Sequence, residues 1–212
     1  MPSRLPRGVL RCDDGVARCF WCAGDAGYRA YHDAEWGFPV ADDQRLFEKI
    51  ALEGFQAGLS GLTILRKREN FRRAFHGFAI GRVARMGARD VARLLSDAGI
   101  VRHRGKIEAA IHNARQCERL VEGHGSLASF VWRFEPPARE RPRRMTRAAI
   151  VKLTETPTSR ALSKALRDEG FRFVGPTTMY AFMQAMGLVN DHLEGCAARE
   201  RALTGRERFR LP

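Results

Sequence analysis

Apolar residues recur at helical spacings along this chain, and that periodicity most constrains its fold. The segment DDQRLFEKIALEGFQAGL carries apolar residues at intervals of three, four and seven, namely Leu46, Phe47, Ile50 and Ala57. Such intervals place the side chains on one face of a helix. An aspartate at 42 or 43 can cap the start of that helix. Because no long run alternates apolar with polar residues, the chain is predicted to be all-α.

The same periodicity predicts further helices at 60–75, 88–97, 104–122 and 127–134. The third of these carries a stripe of apolar residues at spacings of three or four, namely Ile107, Ala110, Ile111, Ala114, Cys117 and Val121. EPPARERPRRM, residues 135–145, predicts an exposed loop because prolines and charges interrupt regular structure. We expect residues 1–18 to form a loose extension, 19–196 a single helical domain and 197–212 a loose tail.

The charge of the chain favours a polyanionic partner. Its 37 Lys and Arg residues against 24 Asp and Glu give a net charge of +13, which points first to nucleic acid. An arginine-rich proteome would produce the same composition. No apolar run is long enough to span a membrane, and MPSRLPRGVLRCDDG lacks the apolar centre of a secretory signal. We therefore expect a cytoplasmic protein.

Two predicted helices flank a short glycine-containing connection in LSKALRDEGFRFVGPTTMYAFMQAMGL. Gly170 suits the left-handed residue that ends a helix, and Gly175 precedes Pro176, which suits a first helical position. The second helix would direct free backbone amides at one point, where a phosphate fits. Lys164 and Arg172 would add positive charge. An ordinary helical hairpin in a bundle remains the alternative.

Four side chains form a possible metal site. Twelve residues separate Cys19 from His32, and three residues separate His192 from Cys196. The second pair would therefore lie about one helical turn apart. A Cys2His2 set suits tetrahedral Zn²⁺. Ordinary thiols remain an alternative, and Cys22 forms a second possible pair with Cys19.

Glu53 lies among small and apolar residues in IALEGFQAGLSG. Its spacing from Leu46 and Ile50 places it on the inward side of the predicted helix. Burying a carboxylate costs several kcal/mol unless something compensates its charge. From the spacing alone, a paired structural carboxylate is as consistent as a functional one.

Several long segments together resemble the 3-methyladenine DNA glycosylase I family, and the resemblance runs from about Arg18 to Cys196. These segments are CFWCAGDAGYRAYHDAEWG, LEGFQAGLS, LRKRENFRRAF, DAGIVRHRGKI, LSKALRDEGFRFVG and GLVNDHLEGC. The resemblance implies an all-α helix–hairpin–helix glycosylase fold. It also implies one structural Zn²⁺ that joins the N- and C-terminal segments, held by Cys19, His32, His192 and Cys196. The resemblance implies that Cys22 is not a metal ligand.

The resemblance further implies a DNA repair enzyme that extrudes 3-methyladenine, an N3-alkylated purine, from duplex DNA. The enzyme cuts the N-glycosidic bond and leaves an abasic site. Glu53 matches the glutamate of the base pocket and is, with Tyr31, a catalytic candidate. Tyr28 and Trp36 match the aromatic lining. Residues that match DNA contacts are Leu59, beside the gap left by the base, and Lys164, Gly170, Gly175, Thr177 and Thr178 in the backbone clamp.

Two positions refine what the resemblance implies. The family usually has tryptophan directly after GLS as a stacking wall, whereas this chain has Gly61, and Trp21 or Trp36 can substitute as a ring. Strand-cutting relatives use a hairpin lysine, and Thr177 at that place cannot form a Schiff base. We therefore expect a monofunctional enzyme. We also expect it to be a monomer. A module that grips damaged DNA without cutting it, and a basic RNA-binding domain, are the competing hypotheses.

Overall fold

The computed structural model describes residues 4–212 and confirms a mostly helical chain. Within these residues, two short strands, β1 and β2, pair as a hairpin, and eleven α-helices follow. The strands are Val9–Arg11 and Ala17–Cys19, and helices α1 to α11 are Ala26–Ala34, Asp43–Gln56, Gly61–Ala74, Ile80–Ala84, Ala88–Ser96, Arg104–His124, Leu127–Trp132, Arg147–Ile150, Pro157–Asp168, Pro176–Ala185 and Ala197–Arg208. Across residues 4–212, no helix has the length and hydropathy that crossing a membrane requires.

Helix α2 is central to the fold and packs against α3, α6, α7 and α10. Asp42 caps its start by accepting a hydrogen bond from the Arg45 amide at 2.8 Å, as the sequence predicted. Leu46, Phe47 and Ile50 are buried. Ala57 is instead exposed, because α2 ends at the residue before it. The helix therefore presents an apolar face to the core over most of its length and turns Glu53 inward as well.

The two helices α9 and α10 pack on each other across the predicted short connection. Gly170 follows the end of α9 with φ of +84°, and Gly175 precedes Pro176 at the start of α10. Asn113 on α6 holds the connection through both backbone groups of Arg172. Its side-chain amide donates to the carbonyl at 2.9 Å, and its side-chain oxygen accepts from the amide N–H at 2.8 Å.

Replacing Asn113 with Ala is expected to lower the free energy of unfolding by about 1–3 kcal/mol, because two backbone hydrogen bonds lose their partner. Urea denaturation measures the loss. Asn113→Asp keeps the acceptor and loses the donor, so we expect an intermediate loss. A change of less than about 0.5 kcal/mol in Asn113→Ala, the range of ordinary surface substitutions, would show that the clamp does not stabilise the connection.

The prediction of a loose N-terminal extension is wrong for the residues that the structure describes, and Met1 to Ser3 lie outside them. β1 and β2 form an antiparallel pair with Val9 opposite Cys19. Asp14 helps to shape the turn between them by accepting a hydrogen bond from the Val16 amide at 3.0 Å, and Gly15 has φ of +79°. Val9 packs with Cys19 and Leu193 in a small second core. Because three-residue strands show little alternation, the sequence pattern did not reveal them.

The expectation of a loose C-terminal tail is wrong as well, because residues 197–208 form α11. Arg206 makes two hydrogen bonds of 2.6 Å to the Glu135 carboxylate. Phe209 packs on Trp132 with ring centroids 4.5 Å apart. These partners lie about seventy residues earlier in the chain, so local sequence could not identify them.

The proline-rich segment 135–145 is more firmly held than an exposed loop. Ala138–Glu140 forms a single 3₁₀ turn. Met145 is buried, and Arg141 hydrogen-bonds to both Tyr180 and Asp191. Arg141 thereby fastens the segment to α10 and to the chain that follows it.

Candidate functional site

A cavity of about 320 Å³ lies between α1, α2, α3 and α10. Five aromatic side chains supply much of its wall, and most of the charged residues that line it belong to α2 and α3. The aromatic residues are Phe20, Trp21, Tyr28, Tyr31 and Trp36. A concave, ring-lined site with a few polar groups is suited to a small planar ligand.

Glu53 lines this cavity and is only 4% exposed. Its compensating charge is Lys49, one helical turn earlier, whose Nζ lies 2.8 Å from Glu53 Oε1. Lys49 also donates to the Tyr31 hydroxyl at 3.0 Å. Burial by itself lowers the pKa of Lys49, but Glu53 and Tyr31 outweigh it and raise that pKa, so the amine is held as an ammonium ion.

The predicted aromatic residues come together around Trp21. The Trp21 ring meets Tyr28 and Trp36 edge-on, with centroids 4.7 Å and 4.9 Å away. Tyr28 and Tyr31 lie nearly parallel at 6.4 Å with an interplanar angle of 22°. Tyr31 and Trp36 are almost fully buried. Burial raises the pKa of Tyr28 and of Tyr31, so the two hydroxyls remain protonated and can donate.

Gly61 begins α3 at the cavity wall. A Cβ atom at this position would lie 3.1 Å from the Tyr28 hydroxyl and 3.4 Å from Gln56 Oε1. The polar ends of Tyr28 and Gln56 therefore occupy the approach to residue 61, and Gln56 also lines the cavity. A larger side chain at 61 would have to displace the Tyr28 hydroxyl.

The sequence did not predict several of the polar residues that line the cavity. Lys49 was detectable, because its spacing of four from Glu53 puts the two side chains on one helical face. Gln184 of α10 had no comparable indication, because it reaches the cavity through tertiary packing. Two ion pairs at the cavity likewise join residues that are distant in the sequence. Glu35 pairs with Arg68 at 2.7 Å, and Glu48 pairs with Arg72 at 2.8 Å.

The four predicted metal ligands meet in one buried cluster, formed by Cys19, His32, His192 and Cys196, whose ligand atoms all lie within 4.8 Å of one another. The donor atoms of His32 and His192 are 3.1 Å apart, and those of His32 and Cys196 are 3.4 Å apart. Bonds of about 2.0 Å to nitrogen and 2.3 Å to sulfur place tetrahedral ligand atoms roughly 3.3–3.8 Å apart. The cluster therefore has the dimensions of a metal site.

Hydrogen bonds around the cluster prepare both imidazoles for a cation. His32 Nδ1 lies 2.8 Å from Asp33 Oδ1, and His192 Nε2 lies 2.8 Å from the Trp36 carbonyl oxygen. Since carboxylates and carbonyls accept, these nitrogens donate, and the lone pairs of the other two ring nitrogens face each other. A hydrogen bond from Cys19 also lowers the pKa of Cys196 well below that of an ordinary thiol, which supplies a thiolate. The donor set can hold a metal ion.

Cys22 lies beside this cluster and is outside it. Its Sγ donates to the Cys19 carbonyl oxygen at 3.2 Å, and burial raises its pKa to about 12. Cys22 is not among the clustered ligand atoms, which disfavours the alternative pairing of Cys19 with Cys22 as ligands.

Asp191 precedes a cluster residue in sequence, but its side chain points towards α10. It accepts hydrogen bonds from Tyr180 at 2.6 Å, from Gln184 at 2.8 Å and from Arg141. The side chain is fully buried. This carboxylate therefore orients Gln184 and anchors the 135–145 segment.

The residues predicted to contact DNA lie outside the cavity. Leu59 is 44% exposed on the loop after α2, and Lys106 fastens that loop by donating to the carbonyl oxygens of Phe55 and Ala57 at 2.9 Å and 2.6 Å. Gly170 and Gly175 lie in the α9–α10 connection, and Thr177 and Thr178 lie in the first turn of α10. Lys164 is exposed and is paired with Asp168 at 2.6 Å.

Phe173 is a further exposed residue that the sequence analysis did not single out. It lies in the α9–α10 connection, is 42% exposed and has φ of +56°. A left-handed backbone is unfavourable for a bulky residue. Its Cβ approaches α2 at Gly54, where an added Cβ would lie 3.4 Å away. The connection therefore packs on the same helix that carries Glu53.

Comparisons with known proteins agree on one family. The model of the methyladenine glycosylase family matches residues 21–200. DNA-3-methyladenine glycosylase 1 of Escherichia coli K12 is 51% identical over 181 residues, which cover 85% of this chain and 96% of that protein. A crystal structure of 3-methyladenine DNA glycosylase I aligns with a TM-score of 0.78 and 49% identity, and covers 89% of this chain and 98% of its own. A crystal structure of a variant of 3-methyladenine DNA glycosylase I in complex with 3-methyladenine aligns with a TM-score of 0.77 and 36% identity. The alignment covers 83% of this chain and 94% of that chain.

Proposed function

Because this chain belongs to the methyladenine glycosylase family, we propose that it is a DNA repair glycosylase that excises 3-methyladenine from duplex DNA. The observation that carries the proposal is the buried carboxylate of Glu53 in a ring-lined cavity. A relative crystallised with 3-methyladenine supports the choice of base. The enzyme acts in the cytoplasm as a monomer, and other N3-alkylated purines belong to the same substrate class.

The reaction requires the damaged base to leave the helical stack, because its glycosidic bond is inaccessible inside a duplex. Methylation at N3 gives the adenine in DNA a positive charge and weakens the bond to the sugar. When that bond breaks, its electron pair leaves with the base, and neutral 3-methyladenine departs. Water adds to the sugar carbon and loses a proton, which leaves an abasic site.

Glu53 has two roles in this proposal. Its carboxylate accepts hydrogen bonds from the exocyclic amine of the extruded base, and its negative charge favours the positive charge that develops on the sugar. Tyr31 shares Lys49 with Glu53 and can donate its hydroxyl hydrogen to the base edge. Tyr28 and Trp36 supply ring faces, and base stacking on an aromatic ring contributes about 1–3 kcal/mol.

The helices α9 and α10 act as a helix–hairpin–helix clamp on the DNA backbone in this proposal. Amides at the start of α10 face a phosphate, and the helix dipole strengthens their attraction to an anion. The clamp residues are Gly170, Gly175, Thr177 and Thr178, with Lys164 nearby. Leu59 enters the gap that the extruded base leaves, and its exposure supports this role.

The four clustered ligands hold one structural Zn²⁺ in this proposal. The buried Cys2His2 donor set, contributed by Cys19, His32, His192 and Cys196, and its spacing support zinc over harder cations. When bound, the ion fastens β2 and α1 to the segment before α11. All four positions are filled by protein, so the site leaves no place for a reactive water.

We expect the enzyme to be monofunctional. Thr177 has no amine to attack the sugar, and the ammonium of Lys49 has no lone pair because Glu53 raises its pKa. Mass spectrometry of bases released from methylated duplex DNA should detect 3-methyladenine. Borohydride added during the reaction should trap no covalent protein–DNA complex.

Two outcomes would contradict this function. Tight binding to lesion-containing duplexes without release of any base would identify a DNA-binding module instead. A borohydride-trapped complex would refute the monofunctional assignment while leaving the glycosylase assignment intact. An unmethylated duplex provides the control for non-enzymatic release.

A further inference from the structure

Arg147 lies beside the opening through which the cavity meets solvent. It begins the short helix α8, and Val151 ends that helix four residues later with helical backbone angles. Residues four apart lie on the same side of a helix. Val151 lines the cavity and is also 58% exposed, so this side of α8 borders the opening. Arg147 therefore faces the same opening.

Two contacts hold the Arg147 side chain in this place. Its guanidinium carbon lies 4.5 Å from the ring centroid of Phe20, and Phe20 is part of the cavity wall. The aliphatic part of the side chain packs against Gly8, where an added Cβ would lie 2.8 Å from Arg147 Cβ and 3.1 Å from Arg147 Cδ. The face of an aromatic ring attracts a cation. The guanidinium is therefore positioned beside the cavity before any ligand arrives.

The positive charge of Arg147 is not neutralised by the protein. The side chain is exposed, and within residues 4–212 it makes neither a salt bridge nor a side-chain hydrogen bond. Arg144, by contrast, is paired with Glu194 at 2.7 Å. Arg143 and Lys152 are also exposed and have no carboxylate partner in this part of the chain, so they extend the positive charge. The five N–H donors of the Arg147 guanidinium remain for an anion.

An extruded nucleotide would bring an anion to this opening. Its base enters the cavity of about 320 Å³, whereas its sugar and the two flanking phosphates belong to a continuous strand and must stay outside. Those phosphates therefore lie near the opening, next to the sugar whose bond is broken. A guanidinium binds a phosphate through two parallel N–H donors, which fixes position as well as adding attraction.

We infer that Arg147 binds a backbone phosphate next to the extruded nucleotide and thereby positions the damaged strand at the opening of the cavity. Arg147 is a positioning residue, since it contacts neither the base nor the glycosidic bond. Extrusion rotates a nucleotide about its backbone, so the contact belongs to lesion-containing DNA and not to a duplex whose bases stay stacked. This inference rests on the proposed glycosylase function and adds a contact separate from the α9–α10 clamp.

The salt dependence of binding to two matched duplexes tests this inference. One duplex carries 3-deaza-3-methyladenine, a stable analogue of the lesion, and the other carries adenine at the same position. Each phosphate that the protein neutralises adds about 0.9 to the slope of log affinity against log salt concentration, because counterions are released. A plot of affinity against salt therefore counts phosphate contacts for each duplex.

Arg147→Met removes the charge and keeps an aliphatic side chain against Gly8 and Phe20. With the lesion duplex we expect it to reduce the slope by about 0.9 and to weaken binding about tenfold. With the adenine duplex, the slope and the affinity should stay as in the unaltered protein. Arg147→Gln is a second neutral variant, which keeps the test valid if Arg147→Met does not fold. Arg147→Lys keeps the charge and should retain the slope.

Arg133→Gln is the matched control. Arg133 is also an exposed arginine over a phenylalanine ring, with its guanidinium carbon 4.8 Å from the Phe130 centroid. Phe130, unlike Phe20, is not part of the cavity wall. The control variant therefore loses the same charge and the same kind of ring contact at another place. We expect its slope to equal that of the unaltered protein with both duplexes.

The inference is overturned if the neutral variants leave the salt slope with the lesion duplex unchanged, because Arg147 then acts through packing alone. It is also overturned if the slope falls equally with both duplexes, or if Arg133→Gln lowers it as much. Base release from methylated DNA is measured with the same preparations. Its absence from the unaltered protein would refute the glycosylase function, whereas normal release with unchanged slopes would refute only the role of Arg147.

Discussion

Glu53→Gln is expected to lower the rate of 3-methyladenine release at least about 100-fold, within the range that a positioned acid, base or charge contributes. Glutamine has the same shape and no negative charge. It therefore no longer favours the positive charge that develops on the sugar. It also leaves the Lys49 ammonium without its partner at 2.8 Å, so that a positive charge faces the cationic nucleotide. Single-turnover release, followed by mass spectrometry of the free base, measures the loss.

Two companion variants separate these causes. The double variant Lys49→Met with Glu53→Gln removes the unpaired ammonium and should recover part of the lost rate. Glu135→Gln changes a carboxylate that pairs with Arg206 and does not line the cavity, and it should leave the rate within about twofold of the unaltered protein. Equal release by Glu53→Gln and the unaltered protein would remove Glu53 from the reaction.

Cys196→Ser is expected to abolish metal binding and to lower the free energy of unfolding by at least about 3 kcal/mol. Cys196 is buried in contact with His32 and His192, and the hydroxyl of serine is a much poorer zinc ligand than a thiolate. The proposed ion joins segments more than 150 residues apart in the chain, which makes its loss costly. Elemental analysis should find one zinc per unaltered chain, and urea denaturation reports stability.

Cys22→Ser is the matched control for the metal site. Cys22 is also a buried cysteine and lies three residues from Cys19, but it donates to a backbone carbonyl outside the ligand cluster. We expect this variant to retain one zinc per chain. Retention of zinc by Cys196→Ser together with its loss from Cys22→Ser would show that the ligand set is a different one.

Local features of the sequence predicted the helices well, because capping and periodicity act over a few residues. The start of α2 at Asp42 and the turn at Gly170 are both set by backbone chemistry near those positions. The terminal segments were mispredicted because their partners are distant. α11 is held partly by Glu135 and Trp132 rather than by a strong apolar stripe of its own.

The sequence predicted less of the candidate site than of the helices. Helical spacing predicted that Glu53 faces inward, but periodicity alone could not show that a cavity lies beside it. The four metal ligands were recognisable by chemistry, whereas their meeting depends on how β2, α1 and the segment before α11 pack. Lys49 lies one helical turn from Glu53, but the apolar spacing that predicts the helix gives no indication of a charged partner.

A crystal structure of this protein with 3-methyladenine would show whether the base binds beside Glu53. We predict that the base occupies the cavity between α1, α2 and α3, with its exocyclic amine within hydrogen-bonding distance of Glu53 and a ring face against Tyr28 or Trp36. A base bound elsewhere, with the Glu53 carboxylate contacting Lys49 alone, would show that the cavity is not the base pocket.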